Sequence, residues 1–181
     1  MNSNFETAAR WVQGRRAAAD GHLSGYGSSK NSAKDAQAFI GDIIKRYNPK
    51  KILDLGCGDW TWFSSLGDML DSSGVEYEGW DACARMIRDN NEKYGNDSVR
   101  FMLKDIVTEE YPKVDLIICR DVLFHLQQSM ALEVIEKVHK SCSLFISTTF
   151  PYTTTNKKLT GGWGFYTINL AIDPFSLSRY E

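Results

Sequence analysis

The chain has 181 residues, 43% of them hydrophobic and 24% charged, with a formal net charge of −2. That balance belongs to an ordinary globular domain; it argues against disorder and against a domain whose affinity comes from neutralising phosphates. The basic pairs Arg15–Arg16 and Lys157–Lys158 read as solvated surface.

No run approaches the roughly 20 apolar residues that span a bilayer, so no membrane role is expected. The opening MNSNFETAARWVQGRR lacks the apolar core of a secretion signal. Cysteines at 57, 83, 119 and 142 form no CxxC pair and no zinc spacing, so no metal is expected. Small buried thiols in a reducing, cytoplasmic setting fit them.

In chain order, residues 1–20 read as a helix with Phe5, Ala8, Ala9 and Val12 on one side. The Gly/Ser-rich stretch from Asp20 to Ser32 is a loop. Ser32 is the expected cap of a second helix, whose stripe Ala36, Phe39, Ile40, Ile43, Ile44 and Tyr47 has helical spacing; Asn48-Pro49 ends it. Strand Ile52–Leu55 follows, then a helix from Thr61 to Leu70 with Trp62, Phe63, Leu66, Met69 and Leu70 inward. The next units are a strand Val75–Trp80, a helix Cys83–Tyr94 and a strand Val99–Leu103. A buried strand Val114–Cys119, a helix from about Gln127 to Lys140 and a strand Leu144–Thr148 complete the alternation. Such alternation predicts an α/β fold, a Rossmann-like parallel sheet with helices on both faces. In such sheets ligands bind beyond the carboxyl ends of the strands. Residues 1–181 are read as one domain, with an N-terminal helix and lid loop (1–31), a core (32–149) and a substrate loop with C-terminal segment (150–181).

In that frame KKILDLGCGDWTWF acquires a meaning. Gly56 and Gly58 stand where the first strand turns into a helix, and they let a ligand press on the backbone. Asp81 ends the next strand, where an acid can accept two hydrogen bonds from a ribose diol. Position 61 is Thr, so the third glycine of a pyrophosphate loop is absent and a nucleoside without that group fits better.

ILDLGCGD resembles motif I of the class I S-adenosylmethionine (SAM) methyltransferases, over roughly Ser32 to Thr149. The resemblance implies SAM as cofactor. Asp54, Gly56 and Gly58 would line its methionine end, with Cys57 between them, and Asp81 and Ala82 would meet the ribose. Asp105 would meet the adenine amino group, with Ile106 against the ring, and Cys119 and Arg120 would lie beside the sulfonium and the acceptor. The third glycine of motif I is replaced by Trp60, which predicts a large indole at the cofactor entrance or substrate pocket. Trp60 and Trp163, in loops, are the candidates to stack on a ring or sugar, and Trp62 is assigned to the core. The family normally adds two strands after the fifth; here GFYTINLAI (Gly164–Ile172) offers one, so the sheet is expected to be shortened. An exposed edge of that kind is usually covered or paired, which suggests a homodimer.

Catalysis of methyl transfer needs an in-line acceptor and often a base. An unperturbed histidine titrates near neutrality, so His125 in CRDVLFHL can be that base; a packed histidine is the competing reading. Asp121 or Arg120 can orient an acceptor, and Tyr26, with His22 in the same loop, can close a lid. The amino-methylating D/N-P-P-Y/F motif is absent after the fourth strand, where Cys119-Arg120-Asp121-Val122 stands. The acceptor expected is therefore a small molecule or a glycan hydroxyl, not a nucleic-acid base. Two other functions share the pocket: SAM degradation by a hydrolase or lyase, and a non-catalytic SAM-binding subunit.

Overall fold

The computed structural model describes residues 24, 26–29, 31–157 and 164–178. The expected helix over residues 1–20 and the candidates His22 and Trp163 lie outside those residues, as does the side chain of Tyr26. Five parallel strands form one sheet in the order β3-β2-β1-β4-β5. They are β1 (Lys51–Leu55), β2 (Glu76–Asp81), β3 (Val99–Leu103), β4 (Leu116–Cys119) and β5 (Leu144–Ser147). Strand order reverses between β1 and β4, where a ligand crevice opens.

The two faces have different cores because successive side chains in a strand point to opposite faces. Ile52, Tyr77, Phe101, Leu116 and Ile118 face one apolar cluster with α1 (Lys34–Tyr47), a 3-10 turn Phe63–Leu66, α2 (Gly67–Ser73) and α3 (Ala84–Tyr94). Leu53, Leu55, Trp80 and Ile117 face the other, with α4 (Gln128–Ser141) and the irregular segment carrying Ile168, Leu170 and Phe175. Helices therefore cover both faces, as the alternation predicts.

Three local expectations are corrected. Ser32 does not cap α1: its hydroxyl pairs with Ser29 Oγ at 2.8 Å, and α1 starts after Ala33 with no side-chain cap. The expected helix from Thr61 is a 3-10 turn followed by α2, with the break at Gly67. Gly164–Ile172 forms no strand. Phe150 donates its N–H to Ile168 O at 2.8 Å, but other groups of the segment go to side chains or to short turns. Asn156 Oδ1 accepts from Asn169 N–H at 2.8 Å, and Thr149 Oγ1 from Leu170 N–H at 3.0 Å. Side chains thus replace the ladder that a strand would need. Among the described residues β5 pairs with β4 alone.

Candidate active site

A cleft opens at the carboxyl ends of the strands. Asp54, Gly56, Cys57, Gly58, Asp81 and Ala82 line it from β1 and β2, and Asp105 and Ile106 from beyond β3. Arg120, Asp121 and His125 line it from beyond β4, and Ser24 and Ser28 from the N-terminal side. Of the residues the sequence singles out as binding or catalytic, Cys119 is the exception. It is fully buried, on the sheet face that packs against α4, and burial pushes its thiol well up. A small apolar residue filling the core is its role in the fold.

The turn after β1 explains the glycines. Backbone φ is +78° at Gly56, +60° at Gly58 and +55° at Trp60, so every second residue is left-handed. Glycine adopts that region freely, whereas L side chains pay for it. Added Cβ atoms would also collide, at 2.4 Å from Val122 Cγ2 for Gly56 and 2.4 Å from Ser24 Oγ for Gly58. The third left-handed position is Trp60, and it does not face the cleft. Its indole is 3% exposed and packs against Phe63, Tyr77, Tyr94 and Phe101 at centroid distances of 5.7, 5.4, 5.0 and 5.3 Å. Trp62, expected in the core, is buried there at 4% exposure and also lines the cleft, with the Arg120 guanidinium 4.7 Å from its ring centroid. The left-handed φ at Trp60 turns its indole into the same core cluster as Trp62 and away from the cleft.

Asp81 holds the turn together. Its Oδ2 accepts from Gly58 N–H at 3.0 Å and its Oδ1 from Cys83 N–H at 2.8 Å, at the start of α3. Burial raises its pKa and these two backbone donors oppose that. A carboxylate offers about four lone-pair sites, so acceptor capacity remains on the cleft side. Asp105 Oδ1 takes Val107 N–H at 2.9 Å, which fixes the turn after β3. Asp54 is 2% exposed and accepts the Tyr77 hydroxyl at 2.6 Å. Its pKa is pushed up to about 7, mainly by burial, against the pull of that hydrogen bond.

Arg120 and Asp121 do something the sequence did not suggest. Asp121 Oδ1 accepts the Thr148 hydroxyl at 2.7 Å, and Oδ2 pairs with Arg120 at 3.1 Å. The same guanidinium donates to Gly27 O at 2.8 Å. On the other side Ser24 and Asp59 form a reciprocal pair, Asp59 N–H to Ser24 Oγ at 2.7 Å and Ser24 N–H to Asp59 Oδ2 at 3.1 Å. Ser24 and Gly27 are thereby each tied across the cleft, and Arg120 and Asp121 hold the Gly27 side of that roof. His125 Nδ1 lies 2.9 Å from Gly164 O. A carbonyl only accepts, so Nδ1 carries the proton, and in the neutral form of the ring Nε2 is the basic nitrogen. The contact spans 39 residues of sequence and left no local signal.

A family model described as "Methyltransferase domain" matches residues 32–166, more than half of the chain. The chain belongs to this methyltransferase family. These are the class I SAM-dependent enzymes that the motif I string resembles. Phosphoethanolamine N-methyltransferase of Plasmodium falciparum (isolate 3D7) is 29% identical over 119 residues, covering 62% of this chain and 42% of the relative. Small RNA 2'-O-methyltransferase of Gallus gallus is 26% identical over 112 residues, covering 53% and 29%. The chain thus spans less than half the length of these curated relatives. The solved N-methyltransferase NodS from Bradyrhizobium japonicum WM9, in complex with S-adenosyl-L-homocysteine (SAH), superposes with a TM-score of 0.57 at 15% identity. That match covers 76% of this chain and 71% of that one, and shows the shared fold. Among the described residues no group of acidic, His and Cys side chains could hold a metal ion, and no helix is long and apolar enough to cross a membrane.

Proposed function

We propose that this chain binds SAM in the cleft and catalyses methyl transfer to a hydroxyl of a small-molecule or glycan acceptor, in the cytoplasm. The observation that carries the reading is the convergence of Asp54, Gly56, Gly58, Asp81, Asp105 and His125, from four strand ends, on one cleft. The donor set suits the cofactor. Asp81 has acceptor capacity for a ribose diol beyond its two backbone donors. Ile106, 8% exposed, gives an apolar surface for adenine beside Asp105. Asp54 and the glycine turn suit the methionine end, where an ammonium needs a carboxylate.

Bound there, SAM would supply an activated methyl on its sulfonium. The residues of the chain position the acceptor and manage its proton. His125 Nε2 takes the hydroxyl proton, and the Gly164 carbonyl holds the imidazole in the required tautomer. Trp62 and Arg120 wall the cleft, and the roof tied down at Ser24 and Gly27 restricts water. A net charge of −2 supports a neutral acceptor over a polyanion. One relative acts on small RNA, so a nucleic-acid hydroxyl belongs in the acceptor screen. A second copy of the chain is the partner we propose for the outer edge of β5, which the solution mass tests.

Incubation with methyl-labelled SAM separates the readings. Label in an acceptor with equimolar SAH, and intact SAM when acceptor is withheld, is the expected result. Methylthioadenosine formed without acceptor would establish degradation instead. Binding with turnover only after a second protein is added would establish a subunit.

A further inference from the structure

One exposed ring beside the cleft is held from both sides. His125 Nδ1 bonds to the Gly164 carbonyl. Tyr166 donates its N–H to Phe124 O at 3.3 Å and its hydroxyl to Leu126 O. Between these anchors Phe165 is 65% exposed. A lone exposed apolar residue needs no explanation. Phe165 differs, because its backbone neighbours are fixed and other rings brace it. Phe124 and Phe150 meet it edge-on at 5.0 and 5.9 Å between centroids, and His125 at 6.2 Å. Phe124 is 6% exposed, so the brace is part of the core.

We propose that Phe165 is the acceptor platform: it stacks on the apolar face of a hydroxyl-bearing ring, aromatic or pyranose, and so presents the hydroxyl to His125. The inference rests on the methyltransferase reading above and narrows its acceptor class. Three features carry it. His125 lines the cleft and touches Phe165, so one acceptor can reach both. An aromatic surface already fixed loses little freedom on binding, which is what makes such a surface a recognition site. Gly164–Ile172 has no charged residue, and Asp121 is committed to Arg120 and Thr148. A cationic amine or a phosphate would want a counter-charge here, whereas a ring with a flat apolar face does not.

The test uses the full chain loaded with SAH, its binding confirmed by calorimetry, and saturation-transfer NMR with catechol, methyl α-D-glucopyranoside and ethanolamine. Saturation of a ring probe but not of ethanolamine is expected; catechol alone identifies an aromatic acceptor, the glucoside alone a sugar. Phe165→Ala should weaken the bound ring probe by about fivefold or more, with SAH affinity unchanged and Phe165→Tyr restoring the probe. Ring probes that fail to bind below about 10 mM, ethanolamine binding as well as a ring, or no effect of Phe165→Ala would each overturn the platform. Loss of SAH binding in Phe165→Ala alone would do the same, by showing that the ring supports the cofactor cleft. Failure of the unaltered chain to bind SAH would instead sink the cofactor reading, and the platform with it.

Discussion

Trp60→Ala should cost about 3–5 kcal/mol of stability, the usual price of emptying a buried aromatic site. Trp60→Gly should cost about 1 kcal/mol less than that, because φ = +55° strains alanine and not glycine. At most buried positions the order is the reverse, with glycine worse than alanine by about 0.5–1 kcal/mol. The inversion follows from two facts about one residue. Its backbone occupies the third left-handed position of the turn, and its indole is fixed by four aromatic neighbours. Packing therefore overrides a local strain that the glycine of the usual motif avoids. Urea midpoints of the two variants measure the order directly; glycine below alanine would show that the turn relaxes out of the left-handed region.

SAM affinity should fall about tenfold for each pH unit below 7, reaching about a hundredfold by pH 5. The cause is Asp54, whose pKa of about 7 leaves it protonated below neutrality. An ammonium at the methionine end needs the ionised form, so binding at low pH must release a proton. The sign for folding runs the opposite way. A carboxyl raised from 3.8 to about 7 in the folded state adds stability that is complete below the unfolded value and is lost as pH rises through 7. Bound ammonium offsets that loss. Above about 8 the α-amino group of SAM itself deprotonates, so affinity should peak between the two values. Calorimetry in two buffers of different ionisation enthalpy counts the released proton. Asp54→Asn, which can still accept the Tyr77 hydroxyl, should flatten the acid limb. A flat profile in the unaltered protein would place the ammonium elsewhere.

The strands were legible because their signals are local. VDLIIC is apolar on both sides, and β4 is buried on both faces. The glycine turn and Asp81 were legible because strand ends carry the ligand in this topology, and both line the cleft. What escaped depends on single dihedrals or distant contacts. The inward placement of Trp60 turns on one left-handed residue, which no periodicity records. The bonds of Arg120 to Gly27 and of Asp121 to Thr148 join residues 93 and 27 apart in sequence, a distance that no local pattern spans. The failed strand at Gly164–Ile172 has a suitable composition, but the side chains of Asn156, Asn169 and Thr149 take up N–H groups of its backbone. The same segment delivers Gly164 to His125, the contact that gives the imidazole its tautomer.

The most direct test is calorimetric titration of SAM and SAH into the full chain, with Asp81→Ala alongside and both proteins shown folded by their thermal transitions. Micromolar binding that Asp81→Ala weakens about tenfold or more, roughly 1.4 kcal/mol, is the predicted result. Folded protein that binds neither ligand, or an Asp81→Ala variant that binds as tightly as the original, would contradict the assignment of this cleft to SAM.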